Sequence, residues 1–201
     1  MPIPKFKKII SIAAPLAMDD IDTDQIYPAR FLTTIERNKA CSHLFEDCRC
    51  IKDGARNMDF VLNKPEYQKS RILLARKNFG CGSSREHAAW AIFDSGFRAV
   101  IASSFGDIFK HNALKNGLLP IELPLKLIER LENLCKKEPP VITIDLRQQT
   151  IAWKNEMSRF SIDKFSKKCL LEGLDDIEYI LQFKKEIIAY EKNNQSKYES
   201  Y

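Results

Sequence analysis

Arg71–Ser103 reads RILLARKNFGCGSSREHAAWAIFDSGFRAVIAS. The apolar run ILLA, Ile72 to Ala75, predicts a strand. It ends in the turn Gly80-Cys81-Gly82-Ser83-Ser84, and the residues from Ser84 to Ser95 then carry helical character, with Gly96 as the stop. Phe97 to Ala102 predicts a second strand. A strand, a helix and a strand in this order imply a crossover between parallel strands.

The same alternation extends toward the C-terminus. Ser103 or Ser104 is expected to cap a helix, with Asp107 completing a capping box after Ser104 and Gly117 ending the helix. Leu118 to Leu123 predicts a strand. Leu125 to Lys137 predicts an amphipathic helix with Leu127, Ile128, Leu131 and Leu134 on one face. VITIDL, a turn at Gln148 and Gln149, TIAW and RFSI then suggest β-hairpins. Helices are expected near Asp163 to Leu171 and Asp175 to Glu191, followed by a frayed polar tail over 192–201.

Toward the N-terminus, Lys5, Lys7 and Lys8 precede IISIAAPLAM. Pro15 interrupts that run and no small-residue cleavage site precedes Asp19, so it reads as a strand rather than a secretory leader. A polar acidic loop, a short helix over Thr33 to His43 and a long mixed loop over 46–69, broken by Gly54, Asn57 and Pro65, fill the stretch before Ile72. The expected architecture is one α/β domain over 1–191, with a mostly parallel sheet and flanking helices.

Composition narrows the function classes. Of 201 residues, 44% are hydrophobic and 29% charged, ordinary for a soluble globular chain, and the net charge of +5 argues only weakly for nucleic acid. No apolar run approaches the ~18 residues of a membrane helix. Asp20, Asp22 and Asp24 alternate like a calcium loop, but Gln25 stands where glycine is required and Phe31 where glutamate is required. Cys41, His43, Cys48 and Cys50 do not match a zinc spacing. The six cysteines read as free thiols in a reducing cytoplasm.

The glycine-serine turn is the candidate site. A helix mouth offers unpaired N–H groups and a positive dipole end to an anion. Gly80 and Gly82 would let a ligand approach the backbone, Ser83 and Ser84 add hydroxyls, and the Arg85 guanidinium suits a carboxylate. The P-loop lysine is absent, Arg85 occupies the third glycine of a dinucleotide fingerprint, and Glu86 occupies the last glycine of a nucleophile elbow. Cys81 reads as a small buried residue and His87 as a hydrogen-bonded helix residue rather than a nucleophile–base pair.

NFGCGSSREHAAWAI followed by FRAVIASSFGDIFKHNALKNGLLPI resembles the small-subunit family of isopropylmalate dehydratase. AAPLAMDDIDTDQIYPARFL, DFVLNKPEY and KKCLLEGLDDIEYIL extend the resemblance in the same order from about Phe6 to Glu191. The family is similar to the C-terminal swivelling domain of aconitase, which implies a β/β/α fold and a large-subunit partner carrying a 4Fe-4S cluster. This chain has no CxxC with a distant third cysteine to hold such a cluster itself. The implied reaction converts 2-isopropylmalate to 3-isopropylmalate by dehydration and rehydration, in leucine biosynthesis and in the cytoplasm. The resemblance makes Ser83 the catalytic base, Arg85 the grip on a substrate carboxylate and Ser84 a supporting donor. It also maps Asp24 to an active-site aspartate and Arg30 to a second carboxylate-binding arginine. Tyr27 departs from the family pattern and would add a bulky hydroxyl next to a substrate-site residue. The same motif would serve a homoaconitase or a citraconate-type hydratase. A non-catalytic anion- or nucleic-acid-binding module is the reading from a different class.

Overall fold

The structure, a computed structural model, describes residues 3–32, 41–51 and 53–198, with side chains to residue 194. The apolar N-terminal run supplies two strands rather than one: β1 (Ile9–Ser11) and β2 (Ala13–Pro15). They belong to different sheets, and the chain changes sheet at Ile12. β2 joins β3 (Ile72–Leu74), β4 (Ala99–Ala102) and β5 (Leu119–Glu122) in a parallel sheet of order β2-β3-β4-β5. β1 joins β6 (Ile142–Asp145), β7 (Thr150–Trp153) and β8 (Glu156–Arg159) in an antiparallel sheet of order β1-β6-β7-β8.

The parallel strands are apolar on both faces because both faces are covered. Ile72, Leu74, Ala99, Ile101, Leu119 and Ile121 share a core with Ile142, Ile144, Ile151 and Trp153 of the antiparallel sheet. Leu73, Ala75, Val100 and Ala102 share a second core with α3 (Glu86–Asp94) and α4 (Asp107–Lys115), which follow two short helices, α1 (Thr23–Ile26) and α2 (Glu46–Arg49). At ~1.5–3 kcal/mol for each fully buried Leu or Ile, these two interfaces dominate the stabilisation. The layers are antiparallel sheet, parallel sheet and helices, the β/β/α order the resemblance implied.

α5 (Leu125–Lys137) has the bounds its periodicity predicts and buries Ile128, Leu131 and Cys135. α6 (Lys164–Glu172) is capped by Asp163, whose carboxylate accepts the Ser166 N–H at 2.9 Å. Other expectations change. Within the 46–69 stretch, turns and irregular backbone carry α2 and single 3₁₀ turns at Val61–Asn63 and Pro65–Tyr67, and Leu62, Asn63 and Tyr67 are buried. The helix expected over Thr33 to His43 lies outside the described residues as far as 40; residues 41–43 form a 3₁₀ turn. α4 is capped by the Gly106 backbone alone, because the Ser104 hydroxyl accepts the Asn78 N–H at 2.8 Å instead. The last strand is EMSR, not RFSI, and it is the edge strand. The helix expected from Asp175 to Glu191 is two, α7 (Asp176–Leu181) and α8 (Lys184–Tyr198), and α8 takes in most of the expected polar tail.

Candidate functional site

Two loops leave the C-terminal ends of β2 and β3 and run side by side. Arg76 N–H donates to Met18 O at 3.2 Å, Asp20 N–H to Lys77 O at 3.0 Å, Gly80 N–H to Ile21 O at 2.7 Å and Thr23 N–H to Cys81 O at 2.9 Å. Asp22 and Cys81 form an isolated parallel bridge. This zipper sets the Asp-Thr-Asp-Gln segment against the glycine-serine turn.

The acidic loop is built from local hydrogen bonds. Asp19 accepts the Lys77 N–H at 3.1 Å and Asp20 the Asn78 side-chain amide at 2.8 Å. Asp22 caps α1 by accepting the Gln25 N–H at 2.7 Å, and Gln25 returns a bond to the Asp22 N–H at 3.0 Å. Thr23, buried, donates its hydroxyl to Ser83 O at 2.9 Å and so anchors the serine turn from below.

α3 begins at Glu86, with Arg85 as its N-cap residue, so Ser84 and Ser83 lie one and two residues before the cap rather than in the first turn. Gly82, Ser83 and Ser84 are all exposed. In the first turn of α3, Ala88 N–H donates back to Arg85 O at 3.3 Å, while the Glu86 and His87 N–H groups precede any intrahelical acceptor. The two glycines differ. Gly80 is buried at φ +74°, and a β-carbon there would overlap the Phe109 ring, so it serves helix–turn packing rather than ligand approach. Gly82, at φ +88°, would place a β-carbon no nearer than 3.6 Å to Asp22 and keeps an open face.

Arg85 turns its half-buried guanidinium onto Asp24, in an ion pair between residues 61 apart in sequence, with a longer bond of 3.4 Å to Tyr27 O. Asp24 also accepts the Ala29 N–H at 2.8 Å. The Arg85 bond first, and the Ala29 N–H second, hold the Asp24 carboxyl below its ordinary pKa. Arg30 stands at the rim in a two-pronged pair with Asp47 of α2, one arm at 2.9 Å, over the Phe31 ring. The Asp47 bond raises the Arg30 pKa and lowers that of Asp47. Asp47 had no local sequence signal. The structure thus brings Ser83, Ser84, Arg85 and Asp24 together; Arg30 joins through Asp24, whose charge it feels.

Neighbouring groups are not tuned as nucleophile or base. Burial, then Asp22 and Asp20, push the Cys81 thiol up, which keeps it protonated. Burial lowers the His87 pKa; its ring stacks on Tyr27 at 5.6 Å and meets Trp90 at 4.6 Å. Tyr27 is 1% exposed and donates its hydroxyl to Phe31 O at 3.1 Å, so it points into the core, not at a ligand. Among the described residues, no group of three or more His, Cys, Asp or Glu is placed to hold a metal, so the donor set does not fit an iron–sulfur cluster. A groove of about 450 Å³ between Phe60, Tyr67 and Cys135 is lined by none of the five candidate residues. Their face is open.

The sequence matches the Aconitase C-terminal domain family over residues 3–126. It is 47% identical over 194 residues to the 3-isopropylmalate dehydratase small subunit of Paramagnetospirillum magneticum, covering 96% of each chain. It is 48% identical to the Lactococcus lactis protein of the same name, covering 95% of this chain and 99% of that one. The fold matches the crystal structure of 3-isopropylmalate dehydratase from Methanocaldococcus jannaschii with a TM-score of 0.67 and 30% identity, over 92% of this chain and 99% of that one. No helix among the described residues is long and apolar enough to cross a membrane. With its parallel sheet, its paired loops and near full-length identity to these relatives, the chain belongs to the 3-isopropylmalate dehydratase small-subunit family, on the aconitase C-terminal domain fold.

Proposed function

We propose that this chain is the small subunit of a cytoplasmic two-subunit hydro-lyase that interconverts 2-isopropylmalate and 3-isopropylmalate. The observation that carries the reading is the exposed Ser83 beside Arg85 at the mouth of α3, on a face that also leaves Ser84, Asp24 and Arg30 exposed to solvent. Such a face needs a second protein to exclude water and complete the site. The large subunit is that partner, and the 4Fe-4S cluster it would carry would supply the Lewis acid that accepts the departing hydroxide.

Removing water from a malate-like diacid needs a base at a carbon next to a carboxylate and a fixed grip on the charges. Ser83 Oγ takes the carbon-bound proton. A serine hydroxyl is basic only as an alkoxide, which the first-turn amides of α3 and the nearby guanidinium stabilise once the partner covers the turn. Arg85 holds one substrate carboxylate with two parallel hydrogen bonds. Asp24 now occupies that guanidinium, so the substrate exchanges one carboxylate for another and Arg85 is never left without a counter-charge. Arg30 offers the second grip through the same exchange with Asp47. Ser84 donates a hydrogen bond from the turn.

The test is substrate choice in the assembled enzyme. The chain is co-expressed with candidate large subunits, the cluster is reconstituted anaerobically, and isomerisation of isopropylmalate is followed beside hydration of homoaconitate and of citraconate. A kcat/KM highest for isopropylmalate supports the reading. A preference for either other acid reassigns the substrate and leaves the site chemistry unchanged.

A further inference from the structure

The end of the parallel sheet opposite the candidate site carries a second concentration of charge. Arg71 and Arg98 immediately precede β3 and β4, whose first residues, Ile72 and Ala99, are register partners. The two arginines therefore stand side by side, and Arg98 N–H donates to Arg71 O at 2.9 Å. Like charges on neighbouring strands repel. Lys5, Lys7 and Lys8, just before β1, close the other wall of the same cleft, which has a volume of about 340 Å³. Five cations and no carboxylate line it among the described residues.

Arg98 is the fixed member. Its Nη1 donates to Phe93 O at 2.8 Å and Phe97 O at 2.7 Å, and its guanidinium lies 3.9 Å over the Phe93 ring. The group is half-buried, and burial first, then Arg71, depress its pKa, while Asp94 opposes them. Asp94 is not among the lining residues, and Asp145, which shares an adjoining cavity with the same three lysines, is accompanied there by Arg147, so the cleft keeps a large excess of positive charge. A monoanion would balance little of it. The volume lies at the small end of ligand-site sizes, which excludes an extended polymer as the fitted occupant.

We infer that this cleft, bounded by Arg71, Arg98 and the Lys5–Lys8 segment, binds a small phosphate-bearing polyanion, at a site separate from the Ser83 turn. Guanidinium pairs match phosphate oxygens two at a time, and the lysines add adjustable point charges. The strands β3 and β4 separate the two sites by roughly 10 Å or more. The inference is independent of the reaction proposed above.

The full chain is titrated calorimetrically with inorganic pyrophosphate, with inorganic phosphate and ATP in separate arms, at about 0.1 M and about 0.3 M salt. The expected result is one pyrophosphate per chain, bound more weakly at the higher salt. Arg71→Gln and Lys8→Gln, both at exposed positions, should each lower the affinity at least about fivefold. Circular dichroism establishes that both variants fold. Arg85→Lys should leave binding unchanged, and Arg71→Gln should leave isomerisation in the assembled enzyme unchanged. Equal affinity for pyrophosphate and ATP assigns recognition to phosphates alone; tighter ATP binding adds a nucleoside contact to the same site. Absence of pyrophosphate binding, or binding lost with Arg85→Lys but not with Arg71→Gln, overturns the inference. So does a duplex oligonucleotide that displaces pyrophosphate and binds more tightly through Arg71.

Discussion

The carboxylate of Asp24 and the guanidinium of Arg85 are ion-paired across the two loops that leave β2 and β3. The pair ties α1 to the cap of α3, and it places a carboxylate where the proposed substrate presents one. In the proposed reaction, the resting and liganded states would differ in which carboxylate Arg85 holds.

That pair has a pH signature. The folded pKa of Asp24 is depressed, so its contribution is fully present above the ordinary carboxylate value of about 3.9 and is lost as pH falls through the folded value. The Asp24 side chain is 56% exposed, which screens the pair to below about 1 kcal/mol. Asp24→Asn should therefore lower the urea midpoint slightly at pH 7. Wild type and variant should converge between about pH 5 and pH 2. A gap that persists at the acid end assigns the destabilisation to packing instead.

The two turn glycines should respond differently to alanine. Gly80→Ala combines left-handed strain with overlap on Phe109, for a loss of about 2–4 kcal/mol. Gly82→Ala carries the strain alone, about 1–2 kcal/mol. Thermal unfolding of the two variants gives the comparison. Equal losses would mean that the Phe109 contact relaxes freely.

Glu132 is 2% exposed on α5 and holds Arg76, which begins the loop to the serine turn, through three bonds of 3.0–3.3 Å. Arg76→Met leaves a buried carboxylate without its partner. The expected loss is about 2–4 kcal/mol in urea unfolding, discounted for the partial exposure of Arg76. Glu132→Gln in the same background should recover part of it, and no recovery would show that the buried charge is not the cause.

Much of this was legible in the sequence where signals were local. The apolar stripe of α5 fixes its length, and the strand–turn–helix pattern around Gly80 to Ser84 fixes the parallel sheet. The failures share one origin, partners distant in sequence. Ser104 looks like a helix cap, but the Asn78 N–H claims it from 26 residues away. EMSR is too polar to read as a strand, and it forms one because β7 offers an open edge. Phe183 breaks the last helix while its ring joins Tyr179 and the Lys168 ammonium. At the site, serines and arginine were visible as a motif, whereas the Arg30–Asp47 pair and the Thr23 anchor depend on how α1, α2 and the turn meet.

The most direct test of the central claim is turnover by Ser83→Ala in the assembled two-subunit enzyme. The side chain is exposed, and the link from this residue to Thr23 is made by its backbone carbonyl, so folding and subunit assembly should be unaffected. The account predicts that kcat falls by about 10²–10⁴ with assembly intact, as for loss of a general base. Turnover within about twofold of wild type would contradict it.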